Sequence, residues 1–320
     1  MLIYTLRRLN LFLITLVILT LVAYNIMLLA PDSQWHQFDY WIGWIYYIRQ
    51  LLDGNLGLAA SGSPVVDTLA HVAPATLELC FAALFISLIV GVPLGTLAGI
   101  RSQGPADKVI SSFALVVFSI PTFWLAILFI MVFSLDLQWF PVSGRYNLLY
   151  EIPHISGFAL VDLWLSDLPL QGKVASDIVR HLALPTLTLA VVPTTEIIKM
   201  VRDSMAYVMR QNYIKAAATK GLSKTEIVLR HGMKNAIPPI IPNFGLLVST
   251  MVTFVIIVES VFNWPGIGRW LLDTLIAKDY VSVQGGVLVI GGFVLLINII
   301  SDVLGAFMNP LVRKKWYALK

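Results

Sequence analysis

The segment Ala75–Ile100, ATLELCFAALFISLIVGVPLGTLAGI, decides the fold of this chain. Glu78, near its start, is its only acidic residue, and no basic residue occurs in it. A helix of about 20 apolar residues is long enough to cross the hydrocarbon core of a bilayer. Its three glycines recur every four residues from Gly91 to Gly99, a spacing that lets another helix approach closely. Pro93 lies among these glycines, so the same stretch is also compatible with a kink.

Five further apolar segments have the length and composition of membrane spans. Together with Ala75–Ile100, these segments predict an all-α polytopic membrane protein of about six transmembrane helices. The additional spans are Leu9–Ala30, Val109–Leu135, Leu182–Ile198, Ile240–Phe262 and Val283–Phe307. Leu9–Ala30 is too long for a signal peptide and is interpreted as a retained helix. We expect Leu182–Ile198 to be the weakest span, because Pro185 and Pro193 interrupt a short apolar run.

The composition excludes most other classes of protein. Of the 320 residues, 58% are hydrophobic and 12% are charged, whereas soluble domains have about 25% charged residues. A soluble enzyme and a disordered chain are both excluded, and lipid is the expected solvent for much of the surface. The net charge of +4 is compatible with nucleic-acid binding, but an excess of basic residues on the inner side of a membrane explains it better. We therefore expect no nucleic-acid partner.

The basic residues also predict the orientation. If the N-terminus lies inside, 16 of the 22 Lys and Arg residues fall in inner segments, and basic residues favour the cytoplasmic side. Both termini are therefore predicted to be cytoplasmic. The chain divides into an N-terminal transmembrane helix, an aromatic-rich outer segment, a transmembrane core with two long loops, and a basic tail. Their bounds are 1–30, 31–74, 75–307 and 308–320, with the loops at 136–181 and 199–239. Within the aromatic segment, Tyr40–Leu52 is a candidate interfacial helix.

Half of the inner basic residues lie in one loop, Lys199–Pro239. Its start shows apolar residues at helical spacing between Val201 and Met209, which predicts an amphipathic helix. We expect this helix to continue through Tyr213 and the three alanines 216–218, and to break at Gly221.

A second short helix is predicted after the glycine. Ser223 and Glu226 have the spacing of a capping box, in which each side chain satisfies a free N–H group of the first turn. The helix should run to about Asn235, before Pro238 and Pro239 end it. Physical reasoning leaves two roles open for the pair of helices: lying on anionic lipid, or receiving a mechanical input from a cytoplasmic protein.

Four polar residues are predicted to lie at membrane depth, where they are costly and are candidates for function. They are Glu196, Glu259, Asn298 and Asp302. An interhelical hydrogen bond or ion pair is the preferred interpretation, and a place along a transport pathway is the alternative. Glu78 is close enough to the outer end of its span to reach water.

No motif for chemistry is present. The sequence has no G-x-x-x-x-G-K-[ST] loop for ATP and no H-E-x-x-H, and its five histidines are scattered. His231 beside Arg230 is interpreted as part of the second short helix rather than as a proton shuttle. The single cysteine, Cys80, is expected to be a buried apolar residue. We therefore expect no catalytic site, cofactor or metal, and energy must come from another subunit or from an ion gradient.

Several motifs in order resemble the permeases of ABC transporters, in the dipeptide, oligopeptide and nickel branch. The strongest lies in the loop, YIKAAATKGLS from Tyr213 to Ser223 and RHGMKNAIP from Arg230 to Pro238. The others are SIPTFW at 119–124, PVSGR at 141–145, ESVFNWPGIGR at 259–269 and NIISD at 298–302. The aromatic outer segment and the closing WYAL at 316–319 are most similar to the Sap-type members, linked to antimicrobial-peptide resistance and putrescine transport.

The resemblance implies a type I importer-like permease of the bacterial inner membrane that works by alternating access. It implies a second permease subunit in a heterodimer, two cytoplasmic ATPase subunits and a periplasmic substrate-binding protein. It assigns the loop to ATPase coupling, through Tyr213, Lys215, Ala216, Ala217, Gly221, Ser223, Glu226, Arg230 and His231. The substrate would be a peptide or a small cation such as putrescine, with import and export both open.

The sequence departs from the family pattern at three places. Lys215 stands where the wider family has a glutamate six residues before the glycine, so a glutamate-specific contact does not carry over. Ala30-Pro31-Asp32-Ser33 replaces Pro-Gly-Asp-Pro, and Asn309-Pro310-Leu311 replaces Asp-Pro-Arg. The rival interpretation is a stand-alone secondary transporter with Glu196, Glu259 and Asp302 as an ion relay. Six spans without an inverted repeat are few for that architecture.

Overall fold

A computed structural model describes residues 2–31 and 33–308 of the chain, with side chains from residue 5 onward. The described residues form helices and loops without a β-strand, as the all-α prediction requires. Of the predicted basic tail, only Met308 lies within the described residues, and the motifs at 309–311 and 316–319 lie outside them.

The helices differ widely in length, from single turns to long spans. In chain order they are α1 Leu2–Met27, α2 Tyr40–Leu52, α3 Val65–Ile100, α4 Pro105–Phe118, α5 Thr122–Phe129, α6 Ala159–Leu165, α7 Gln171–Met209, α8 Asn212–Thr219, α9 Lys224–Glu226, α10 Lys234–Ala236, α11 Phe244–Val261, α12 Ile267–Ile276 and α13 Tyr280–Met308. Two π-helical stretches, Ile130–Asp136 and Ile227–Met233, extend α5 and join α9 to α10. Short 3₁₀ turns lie at Gln34–Gln37, Leu148–Tyr150 and Ile241–Asn243.

Five of the predicted spans correspond to helices long and apolar enough to cross a membrane: α1, α3, α7, α11 and α13. The sixth, Val109–Leu135, is not one straight helix. Its two halves, α4 and the stretch Thr122–Asp136, meet at 93°. Pro121 precedes the second half in extended conformation, and a proline disfavours helical geometry in the residue before it. The third predicted span is therefore bent, and the described residues contain six candidate spans when this pair of helices counts as one.

Helix α7 is longer than predicted. It runs unbroken for 39 residues, and Pro185 and Pro193 lie inside it. Near Pro193, the Thr194 hydroxyl of the same helix and the Ser87 hydroxyl of α3 both donate to the carbonyl of Ala190, at 2.6 and 3.1 Å. These bonds support the backbone next to Pro193, and the helix continues through both prolines.

The glycines of α3 form a packing face against α7, as their spacing predicts. A Cβ atom built on Gly91, Gly95 or Gly99 would lie 2.6–2.7 Å from atoms of α7. The α7 side chains on this face, Ile197, Val201 and Met205, share the four-residue spacing of the glycines and are buried. The two backbones therefore approach closely along the half of the helices that leads to the Lys199–Pro239 loop. We call the end of the bundle that carries this loop the loop end, and the opposite end the far end.

Helices α1 and α13 pack together at the side of this core. Near the far end, α2 covers them: the Tyr47 hydroxyl donates to the Gln284 side-chain oxygen at 2.5 Å, and the Gln284 amide donates to the carbonyl of Leu56. Tyr40–Leu52 is helical within the predicted bounds. The main core lies between α3, α7 and α11, and Cys80 is buried in it.

Candidate functional site

The loop at the loop end consists of two short helical units. The predicted amphipathic face at the end of α7 is confirmed: Val201, Met205 and Val208 are buried. The helix does not continue into the alanines, however. It ends at Met209, and α8 begins at Asn212 after an extended Gln211. The predicted continuous helix is therefore two helices, which allows α8 to leave the axis of α7.

Gly221 ends the first unit as predicted. Its φ of +83° is the left-handed conformation that glycine adopts without steric cost. The capping box follows: the Ser223 hydroxyl accepts from the Glu226 N–H at 3.3 Å, and the Glu226 carboxylate accepts from the Ser223 N–H at 3.0 Å. The Ser223 N–H and its hydroxyl together hold the pKa of Glu226 below its usual range. Helical structure then extends to Ala236, close to the predicted end at Asn235.

The loop is anchored to the bundle by apolar side chains on its inner face. Ile214 and Ala217 of α8 and Ile227 of the second unit are buried and belong to the main core. Gly232 lies against Met205: a Cβ atom built on Gly232 would be 3.0 Å from the terminal methyl carbon (Cε) of Met205. Met205 in turn packs against Gly99 of α3. Contact is therefore continuous from the loop through α7 to α3.

A buried ion pair fixes the end of α7 to the start of α4. The carboxylate of Asp107, whose side chain is 3% exposed, accepts from Nε and Nη2 of Arg202 at 2.9 and 2.7 Å. The Gln103 N–H and the Ser111 hydroxyl also donate to it. This bidentate arrangement holds α4 and α7 in one relative position.

The outer face of the loop carries exposed small and polar residues. Of the predicted coupling residues, Ala217 is buried, while Glu226 and His231 are half-buried. The remaining ones are exposed: Tyr213, Lys215, Ala216, Gly221, Ser223 and Arg230. Because its inner face is buried and its outer face is not, the loop is a fixed surface that projects from the bundle.

Asn298 and Asp302, two of the predicted intramembrane polar residues, contact other helices from α13. Asn298 of α13 donates from Nδ2 to the Ser249 hydroxyl of α11 at 2.9 Å. Asp302 lies 3.0 Å from Nη1 of Arg8 in α1. Both contacts are of the kind that holds a bundle together.

Glu259 lies in a buried cluster near the far end. Its carboxylate accepts from the Thr76 hydroxyl at 2.6 Å and from the Arg269 N–H at 3.0 Å. The same Thr76 hydroxyl accepts from the N–H of Ile267 at 2.7 Å. The glycines of the motif ESVFNWPGIGR make room for this arrangement, since a Cβ on Gly266 would overlap the carboxylate. The cluster joins α3, α11 and the start of α12.

The sequence suggested that Glu78 reaches water, but the structure shows that it does not. Its side chain is 7% exposed, and its carboxylate accepts from Nε and Nη2 of Arg145 at 2.7 and 2.5 Å. Arg145 also donates to the carbonyl of Gly157 and lies 6.0 Å from the centre of a Trp264 ring. The loop 136–181 folds back over the end of α3, which excludes water from a position that hydropathy places at the membrane edge. The loop is therefore fixed to the far end.

A second carboxylate shapes the same loop. Asp162 of α6 accepts from the Ser156 N–H and hydroxyl, both at 2.6 Å, and from the Gly157 N–H at 2.9 Å. Burial alone acts to raise the pKa of this carboxyl group, but these hydrogen bonds outweigh it and hold the pKa below its usual range.

Glu196 differs from the other acidic candidates. It lies on α7 and lines a cavity of about 490 Å³ between α4 and α7. Among the described residues, no group of three metal-ligating side chains comes together here or elsewhere.

Sequence reasoning missed Asp107, Thr76 and Trp264. Asp107 had the signal of an acidic residue in a first helical turn, next to Pro105, but its partner Arg202 lies 95 positions away. Thr76 and Trp264 carry no charge, so nothing in a single sequence distinguishes them from packing residues.

Comparisons with known proteins agree on one family. The family of binding-protein-dependent transport system inner membrane components matches residues 91–314. A peptide transport system permease protein, SapB, of Salmonella typhimurium LT2 is 47% identical over the full length of both chains. The putrescine export system permease protein SapB of Escherichia coli K12 is 46% identical, also over the full length of both. The dipeptide transport system permease protein DppB of the same strain is 35% identical, covering 86% of this chain and 81% of its own.

The fold is also found in a solved structure. An inward-facing conformation of the MetNI methionine ABC transporter contains a chain that aligns with a TM-score of 0.55 at 16% identity, covering 73% of this chain and 93% of its own. At that identity the similarity concerns the fold alone.

Proposed function

This chain belongs to the family of binding-protein-dependent transport system inner membrane components, and on that premise we propose that it carries peptides or small cations such as putrescine. The substrate classes are those named for its full-length relatives, peptides in one and putrescine in another. The chain itself is a membrane permease component, and we propose that ATPase subunits drive it through the Lys199–Pro239 loop.

The observation that carries the coupling proposal is the two-sided construction of the loop. Its inner face, with Ile214 and Ile227, is built into the core, and its outer face is exposed. A partner that pushes on the exposed face therefore moves α7 and α3, because Met205 packs between the loop and Gly99. A helix lying loosely on lipid would not need this continuous packing.

The proposed assembly has this chain paired with a second permease, two ATPase subunits at the loop end and a substrate-binding protein at the far end. The loop end then faces the cytoplasm of a bacterial inner membrane. Closure of the ATPase pair would displace α8 and the second short helix, and the bundle would switch between inward-open and outward-open states. No step of ATP chemistry is assigned to this chain.

The experiment separates this function from ion-driven transport. Membrane vesicles of both orientations, containing the complex purified through a tag on this chain, are given labelled dialanine or labelled putrescine. We expect transport to require ATP on the loop side and to continue when ionophores abolish the ion gradients. Transport that persists without ATP and stops with the ionophore would instead identify a secondary transporter. The orientation in which label accumulates gives the direction.

A further inference from the structure

The cavity between α4 and α7 contains an acidic group that the fold does not use. Glu196 is half-buried in α7, and no described side chain or backbone group hydrogen-bonds its carboxylate. The other buried carboxylates all have partners: Glu78 has Arg145, Asp107 has Arg202, and Glu259 has Thr76. Leaving a carboxylate partly dehydrated without a partner is costly, so a ligand is the simplest reason for it.

The cations near Glu196 form no direct ion pair with it. Arg202 is held by Asp107 and by Asp203, at 2.7 Å in each pair. Lys199, one turn from Glu196, is exposed and attracts the Glu196 carboxylate through its charge, but no ion pair within 4 Å joins the two among the described residues. Glu196 lies six residues before Arg202, or about 9 Å further from the loop end along the helix. The Glu196 carboxylate and the paired charges therefore lie on different parts of the cavity wall.

The remaining walls fit a short alkyl chain. Ala114, Leu115 and Phe118 of α4 provide apolar surface, and the hydroxyl-bearing residues Ser111 and Thr195 provide polar atoms. Phe118 is about half exposed, so its ring is accessible. A carboxylate beside an apolar wall, with an aromatic ring and hydroxyl groups nearby, is the pattern that recognises a primary ammonium group on a carbon chain.

We propose that Glu196 is the residue that binds the ammonium group of the substrate, in the cavity between α4 and α7. The inference rests on the proposed function, since it names the chemical class of cargo: a primary alkylammonium, present at the N-terminus of a peptide and at both ends of an aliphatic diamine. The Glu196 carboxylate accepts hydrogen bonds from the ammonium group, and the α4 wall packs against the attached methylene groups or side chain.

The test is equilibrium binding, which does not depend on transport. The complex in lipid nanodiscs is titrated with labelled putrescine and, separately, with labelled dialanine. Glu196→Gln keeps the shape and removes the charge, and we expect it to weaken binding at least tenfold for whichever amine the wild type binds. Glu196→Asp should recover part of the loss. Asp167→Asn, which changes an exposed carboxylate in the loop 136–181 outside this cavity, is the control and should change affinity less than threefold.

A neutral ligand completes the design. N-acetyl-dialanine amide carries no ammonium group, and Glu196→Gln should leave its weaker binding unchanged. The proposal is overturned if Glu196→Gln binds both amines as the wild type does, if it weakens the neutral ligand equally, or if the wild type binds neither amine. Lipid or a second permease filling the cavity would give the last of these results. Failure of the proposed function appears separately, as transport without ATP, and leaves these titrations interpretable.

Discussion

At the scale of single residues, the glycines of α3 determine how closely the two central helices approach. A Cβ on Gly95 would lie 2.7 Å from the Ile198 carbonyl oxygen and 2.8 Å from the Val201 Cβ. Both distances are shorter than van der Waals contact allows, so any larger residue must separate α3 from α7. The backbone of α7 cannot yield as a flexible side chain could.

We therefore expect Gly95→Ala to destabilise the protein by about 1–3 kcal/mol, as overpacking of a core does. The matched control is Gly292→Ala in α13, where a Cβ would meet nothing within 4 Å. That substitution should be neutral or stabilising by up to about 1 kcal/mol, because alanine favours a helix over glycine. Thermal unfolding of the two purified variants measures the difference. Equal midpoints would show that α3 and α7 are not packed as described.

Asp162 gives a prediction for pH. Its folded pKa lies below the usual value, so its hydrogen bonds stabilise the fold fully above the unfolded pKa of about 3.9 and lose that effect as the pH falls through the folded value. Asp162→Asn should therefore cost about 1–3 kcal/mol at pH 7, and the gap from wild type should narrow at pH 3. Melting curves at both pH values test this. A gap that stays constant or widens on acidification would contradict the assignment.

Residue-level prediction from the sequence succeeded where the signal is local. The capping box of Ser223 and Glu226 and the turn at Gly221 depend on neighbours a few positions away, and both are confirmed. The surroundings of Glu78 depend on Arg145, which is 67 positions distant. Hydropathy alone placed Glu78 in water, and that was wrong because a loop covers it.

At the scale of helices, features that depend on local sequence were again predicted, and features that depend on distant residues were not. The five apolar spans are long and follow from composition. The unbroken course of α7 through two prolines could not be predicted, since one of the supporting hydroxyl groups, that of Ser87, belongs to α3. The 93° bend after α4 has a cause in the sequence, Pro121, but a proline alone does not predict a bend because membrane helices also tolerate prolines.

The turn at Gly221 allows a matched test of the loop. Gly221→Val and Gly62→Val change glycines with the same φ of +83° and with open space around each. Each should cost about 1–2 kcal/mol, because a side chain is strained in that conformation. Only Gly221→Val should also reduce co-purification of ATPase subunits and substrate-stimulated ATP hydrolysis, by tenfold or more, since it alters the proposed contact surface.

The comparison between these two variants is the informative result. If both lose ATP hydrolysis to the same extent, the effect is a general loss of stability and not of coupling. If neither does, the loop is not where the ATPases act.

At the scale of the whole molecule, α7 connects the two ends of the bundle. It is 39 residues long, or about 58 Å at the helical rise. At the far end it begins beside the loop fixed by Arg145, in its middle it carries Glu196, and at the loop end it contacts α8 and the second short helix through Met205. One continuous helix therefore connects the proposed ATPase surface with the proposed substrate cavity. We propose that force enters this helix at the Lys199–Pro239 loop.

Because the chain has a single cysteine, contact between this loop and an ATPase subunit can be measured by cross-linking from an introduced cysteine. Cys80 is 5% exposed, so a cysteine introduced on the surface is the only accessible thiol of this chain. Thr219→Cys places a thiol on exposed α8, and Ser61→Cys places one in the exposed loop at the far end. A heterobifunctional cross-linker, which joins the new thiol to a lysine amine of a partner subunit, is applied to the assembled complex with and without ATP.

We predict that Thr219→Cys cross-links to an ATPase subunit, that the yield changes when ATP is added, and that Ser61→Cys gives no such product. Cross-linking of the ATPase to Ser61→Cys but not to Thr219→Cys would contradict both the orientation and the coupling surface proposed for this protein.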